Sequence, residues 1–76
     1  MLAQVLVYDG FDELDAFGPY ETLVNAGWLG AGLTTELVTL GAPGTVTGSH
    51  GVTVTTAAAL ADAPDLLVVP GGGWAT

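Results

Sequence analysis

The chain opens on a nearly unbroken apolar run, residues 2–8 (Leu-Ala-Gln-Val-Leu-Val-Tyr), interrupted only by Gln4. Such a run suits a central parallel strand buried on both faces. A strand of that kind obliges the rest of the chain to cover two faces of a sheet. The run ends at Asp9-Gly10, and residues 9–21 then place Leu14, Phe17, Tyr20, Leu23 and Val24 at helical spacing. In open parallel α/β sheets, ligands bind outside the carboxyl ends of the strands, where a strand turns into a helix. Asp15 puts a carboxylate at that address, one place after Leu14.

Pro19 divides the helical pattern. Proline disfavours the α conformation at Gly18 before it but is welcome as the first residue of a helix. The expectation is therefore two pieces, a turn over residues 12–17 capped by Asp12 and a main helix from Pro19 to Ala26, stopped by Gly27. Asp15 would then sit at an irregular junction with its side chain aimed inward. The plainer alternative is that Asp15 only complements a helix N-terminus.

Further along, residues 35–40 read as a second strand and 41–44 as a turn. Residues 45–47 and 52–55 form two β-rich stretches around Gly48-Ser49-His50-Gly51, a hairpin or irregular edge with His50 solvated at its tip. Residues 56–63 are alanine-rich and read as a short helix ending before Pro64. Residues 65–69 are another buried strand, followed directly by Pro70-Gly71-Gly72-Gly73-Trp74. This alternation favours an α/β fold with a parallel sheet and right-handed crossovers.

Composition narrows what such a chain can do. Half of the 76 residues are hydrophobic and 11% are charged, well below the roughly 25% charged of ordinary globular proteins. That is the make-up of an interior, and it points to a piece of a larger domain. With no Lys or Arg and a net charge of −8, nucleic acid has no cationic surface to meet. The absence of Cys excludes disulfides, thiolate metal sites and a cysteine nucleophile within these residues. The single His cannot build a metal site alone. No apolar stretch reaches membrane-spanning length, and with no secretory signal at the N-terminus a cytoplasmic location is the default.

Gly71 to Gly73 form the second chemically suggestive feature. Consecutive glycines let backbone N–H groups converge on an anion, or let a substrate come close. Neither the phosphate-loop pattern nor the dinucleotide fingerprint is present, and a plain tight turn is the alternative. Glycine at 72 is expected to tolerate alanine worse than Gly30, which reads as an ordinary loop position.

Taken together, Glu13-Leu14-Asp15-Ala16-Phe17-Gly18-Pro19-Tyr20-Glu21 and Asp65-Leu66-Leu67-Val68-Val69-Pro70-Gly71-Gly72-Gly73 resemble the DJ-1/PfpI superfamily, of class I glutamine amidotransferase-like fold. The Leu-Asp-x-x-Gly-Pro form is most similar to the isonitrile hydratase (cyclohexyl isocyanide hydratase) branch. It is shared by the amidotransferase-like sensor domains of some AraC-type transcription regulators. The resemblance implies a flavodoxin-like sandwich of which residues 1–76 are the N-terminal part of a single domain. The remainder of that domain would lie in the same or a second chain, and the assembly would be a homodimer.

It further implies that Asp15 is the active-site carboxylate that hydrogen-bonds a reactive cysteine, and that the Gly72 N–H, beside Gly71, helps form an oxyanion and substrate pocket. Glu21 matches an acidic helix position and reads as structural. The implied activity is lyase chemistry, hydration of a small substrate such as an isonitrile to an N-substituted formamide. The cysteine would come from outside these residues, which alone would be inactive. No metal or organic cofactor is implied. The rival is a ligand-sensing domain that kept the pocket and lost the chemistry. A glyoxalase or deglycase relative ranks lower, because those proteins usually carry Glu where this chain has Asp15.

Overall fold

A computed structural model describes residues 1–72. The elements in order are β1 (Leu2–Leu6), α1 (Glu13–Trp28), β2 (Thr34–Thr39), β3 (Thr45–Thr47), β4 (Thr53–Thr55), β5 (Ala58–Ala59) and β6 (Leu66–Val68). Four of the strands make one parallel sheet in the order β5-β2-β1-β6. The apolar opening run is therefore an interior strand, as its composition requires, and Ala3, Gln4, Val5 and Val7 are buried. Helix α1 packs on β1 and β2. The core gathers Val5, Val7, Phe11 and Ala16, with Phe17, Tyr20, Leu37, Val46 and Val54 packed against them.

The stretch on both sides of Pro19 forms one continuous helix, not two pieces. Proline's clash with the residue before it involves that residue's Cβ. Gly18 has none, so the α conformation survives there. The helix does lose the bond that a residue 19 N–H would give to the Asp15 carbonyl. Nor does the helix stop at Gly27. Gly30, in the left-handed conformation at φ +92°, ends it. Its N–H bonds Gly27 O at 3.1 Å and the Ala31 N–H bonds Ala26 O at 3.2 Å, the paired closure of a Schellman cap. Gly30 is thus a required cap residue and not a plain loop position.

The alanine-rich stretch is the larger departure. Residues 56–63 contain no helix, and Ala58–Ala59 pair in parallel with β2. Helix propensity is a weak preference that tertiary partners override. Here the Leu60 N–H goes to Thr39 O at 2.9 Å, and the Ala61 N–H goes to Gln4 Oε1 at 2.9 Å. Gln4 also donates to Glu36 Oε1 at 2.9 Å, so the one polar residue of β1 ties three strands together. Thr56, buried, shares its hydroxyl with Thr39 Oγ1 at 2.8 Å.

The hairpin appears as expected: β3 and β4 are antiparallel, pairing Val46 with Val54. These valines face the core, while Thr45 and Thr55 join hydroxyls at 2.9 Å on the outer face. Large apolar side chains stay exposed, among them Leu14, Trp28, Leu29, Leu67 and Val69. Leu14 is 79% exposed, and the start of α1 is held to the core by Ala16 and Phe17 instead. Among the described residues no helix is long and apolar enough to cross a membrane.

Candidate functional site

The site is built around the corner between β1 and α1. Phe11, fully buried there, packs edge-on against Phe17 with ring centroids 5.9 Å apart. This anchors the corner to the helix that leaves it. On one side the corner is stitched to the hairpin. The Gly10 N–H donates to Thr47 O at 2.8 Å, the Ser49 N–H to Phe11 O at 2.8 Å, and the Thr47 N–H to Asp9 Oδ1 at 3.0 Å. On the other side it is stitched to the glycine turn. The Asp12 N–H donates to Gly71 O at 2.7 Å, and Phe11 and Gly72 form an antiparallel bridge. Tyr8 Oη donates to Pro70 O at 2.6 Å.

Gly72 is glycine for a steric reason. A Cβ there would run into Gly10 O and would stand 2.9 Å from both Phe11 Cα and Tyr8 Oη. Two of those neighbours are backbone atoms that cannot swing aside. Alanine at 72 therefore strains the fold as well as any pocket. Gly73 and Trp74 lie outside the described residues.

Asp15 lies in the first turn of α1, exposed, in regular helix and not at an irregular junction. Its backbone N–H is capped by Asp12 Oδ1 at 3.1 Å, so the expected cap of Asp12 is present. Glu21 is exposed further along the same helix. The structure thus joins the segment bearing Asp15 to that bearing Gly71 and Gly72 through Asp12, with Phe11 and Tyr8 beside it. Two open grooves, about 280 and 300 Å³, flank Tyr20, one toward β2 and residues 55–58 and the other between α1 and the start of β2, and neither is lined by Asp15, Gly71 or Gly72. The candidate chemistry sits on a rim and not in these hollows. Among the described residues no group of His, Cys, Asp or Glu is arranged to hold a metal ion.

Glu13, beside the cap, was not singled out from sequence, yet it is the most heavily bonded carboxylate among the described residues. It is 7% exposed. Its oxygens accept from the His50 N–H at 2.8 Å, the Val52 N–H at 3.1 Å and His50 Nδ1 at 2.8 Å. His50 is therefore tethered to the helix start, although most of its ring remains in solvent. One sequence signal could have found the pair: in a chain without Lys or Arg, the lone His is the only side chain that can bring a positive charge to a buried acid.

Burial pushes the Glu13 carboxyl upward, but the hydrogen bonds from the His50 side chain and the Val52 and His50 backbones outweigh it, lowering the pKa to about 2. The bond to Glu13 and its negative charge raise the His50 pKa above 6.5, with Asp12 adding to the effect. A raised His contributes stability that is complete below the unfolded value and lost as pH rises through the folded one. A lowered Glu contributes stability present above 4.5 and lost as pH falls toward 2. The latch between hairpin and helix is therefore strongest between 4.5 and 6.5. In the full-length protein, His50→Asn should lower the melting temperature more at about pH 5.5 than at about pH 8.5. An equal drop at both would show that His50 holds no charge-linked contact with Glu13.

Comparison with known proteins follows the same lines. The DJ-1/PfpI family model matches residues 1–76. Among solved structures, one described as the crystal structure of VC2308 protein superposes with a TM-score of 0.75 at 29% identity. That match covers 93% of this chain and 36% of the other. The chain thus spans little more than a third of that relative's length. No curated protein matches it. With the parallel sheet, the corner and the glycine turn in their expected order, and the family model matched from end to end, the chain belongs to the DJ-1/PfpI family.

Proposed function

We propose that these residues form one wall of the active site of a longer protein that adds water to a small isonitrile, giving an N-substituted formamide. The observation that carries this reading is the meeting of two segments far apart in sequence. The Leu14-Asp15 and Gly18-Pro19 segment and the Pro70-Gly71-Gly72 segment are held to one corner by the 2.7 Å bond from Asp12 to Gly71 and by the Phe11–Gly72 bridge. Asp15 at this position, where glyoxalase-like relatives usually carry Glu, favours the hydratase resemblance.

The chemistry needs a nucleophile, an acid–base group and donors for developing negative charge. A cysteine thiol from outside these residues adds across the isonitrile carbon. The C–S bond forms, the thiol proton moves to the same carbon, and a thioformimidate results. Water then attacks that carbon, the nitrogen takes a proton, and the C–S bond breaks to release formamide and thiol. Asp15 is suited to relay those protons, since a general acid–base group acts from within hydrogen-bond reach. Backbone N–H groups of the glycine turn are suited to stabilise the oxygen that water brings.

Incubating the full-length protein with cyclohexyl isocyanide and following the formamide by NMR tests the reading. Many turnovers per protein molecule are expected. Tight binding without formamide would turn the reading toward a ligand-sensing domain, and neither binding nor turnover would remove it.

A further inference from the structure

We propose that Tyr8 is a positioning residue of this site, whose phenol fixes the direction in which the N–H groups of the glycine turn face. The proposal rests on the reading of that turn as the oxyanion and substrate pocket. In a trans peptide the carbonyl and the following N–H point opposite ways across one rigid plane. Among the described residues the peptide bonds are all trans. Tyr8 Oη holds the Pro70 carbonyl at 2.6 Å, so the Gly71 N–H, on the far side of that plane, is turned away from the β1–α1 corner. The Asp12 N–H holds the Gly71 carbonyl at 2.7 Å, so the Gly72 N–H is turned away from it too. Two carbonyls pinned to one corner thus aim two successive donors to its opposite side.

The two pins differ in kind. The Asp12 pin is backbone and comes with the corner itself. The Tyr8 pin is a side-chain hydroxyl that phenylalanine would lack while keeping the ring. Tyr8 is half-buried against the core, and its backbone carbonyl accepts the Phe11 N–H at 3.0 Å. The ring therefore has a packing role that survives the loss of the hydroxyl. The hydroxyl itself reaches only the turn, within 2.9 Å of where a Cβ on Gly72 would stand. Its one hydrogen-bond partner among the described residues is Pro70. A hydroxyl so placed governs the orientation of the Pro70–Gly71 plane and little else in the fold.

Tyr8→Phe in the full-length protein isolates that function. Thr39→Val serves as the comparison, since it deletes a hydroxyl bonded to Thr56 Oγ1 at 2.8 Å and to Ala42 O at 2.7 Å, neither of them part of the turn. Misaimed donors weaken transition-state stabilisation more than ground-state binding. For Tyr8→Phe the turnover number with cyclohexyl isocyanide should fall about 10-fold, with KM held within about 2-fold. The Gly71 and Gly72 amide resonances and the Pro70 carbonyl carbon resonance should shift. Thr39→Val should change none of these. Wild-type turnover in Tyr8→Phe, or an equal loss in Thr39→Val, would overturn the proposal. If the unmodified protein does not hydrate isonitriles, the reading of the reaction fails separately. The amide resonances of Gly71 and Gly72 then decide: a shift only in Tyr8→Phe upholds the positioning role, and unshifted resonances end it.

Discussion

Gly72→Ala is expected to destabilise the full-length protein by about 1–3 kcal/mol, the usual cost of forcing a methyl group into a filled site. In a protein of about 150–250 residues each kcal/mol lowers the melting temperature by about 2–4 °C. The added Cβ would meet the Gly10 carbonyl and stand 2.9 Å from Phe11 Cα, and neither backbone group can move without opening the β1–α1 corner. Relief by retreat of the turn instead would stretch the Asp12–Gly71 bond. Either response displaces the turn relative to Asp15, so turnover should fall further than the loss of folded protein explains. Gly44→Ala is the matched control. Its Cβ would find open space and its φ is not left-handed, so it should stay within about 0.5 kcal/mol of the parent. Denaturant titration of the two variants reads the difference. Equal midpoints would mean that the corner and the turn are not packed against each other.

Those contacts explain which parts of the fold were legible in the sequence. The opening run could be read because a parallel strand covered on both faces needs apolar residues throughout, and nothing local competes with that signal. The hairpin could be read because Thr-Val-Thr alternation on either side of a glycine-bounded tip has only one economical pairing. The cap by Asp12 was legible for the same reason: it is a contact between near neighbours. Errors arose wherever a distant partner outweighed a local preference. Alanines after Thr56 favour helix, yet their backbone bonds go to Gln4 and β2. Pro19 reads as a break because the rule for the residue before proline assumes a Cβ, and Gly18 has none. Glu13 passed as one more acid at a helix start, since its partners at His50 and Val52 arrive from the hairpin.

The site was legible to a different depth. Its two segments could be named, because their residue types are unusual at the ends of strands, but the corner that joins them could not. Nothing in the spacing announces that Tyr8, Phe11 and Asp12 each take hold of the glycine turn. The exposure of Asp15 was equally hidden. A helical pattern read from Leu14 places that residue toward the core, whereas the helix turns Ala16 inward and leaves both Leu14 and Asp15 outside.

Asp15 carries the central claim, and the turnover of Asp15→Asn beside Asp12→Asn tests it most directly. Asparagine keeps the size and most hydrogen bonds of aspartate but cannot relay a proton. Being exposed, Asp15 leaves no buried partner unpaired when its charge is removed, so the folded protein should be retained. Asp12→Asn keeps an oxygen to accept the Asp15 N–H, now at 3.1 Å, and should cost no more than a few tenths of a kcal/mol. In the full-length protein, with isonitrile as substrate, Asp15→Asn should turn over about 10²-fold or more slowly, the usual scale of general acid–base catalysis. Asp12→Asn should stay within about 2-fold of the parent, since an intact cap leaves the corner in place. Equal turnover in the two variants would contradict the account, leaving Asp15 as a carboxylate that does no more than complement a helix end.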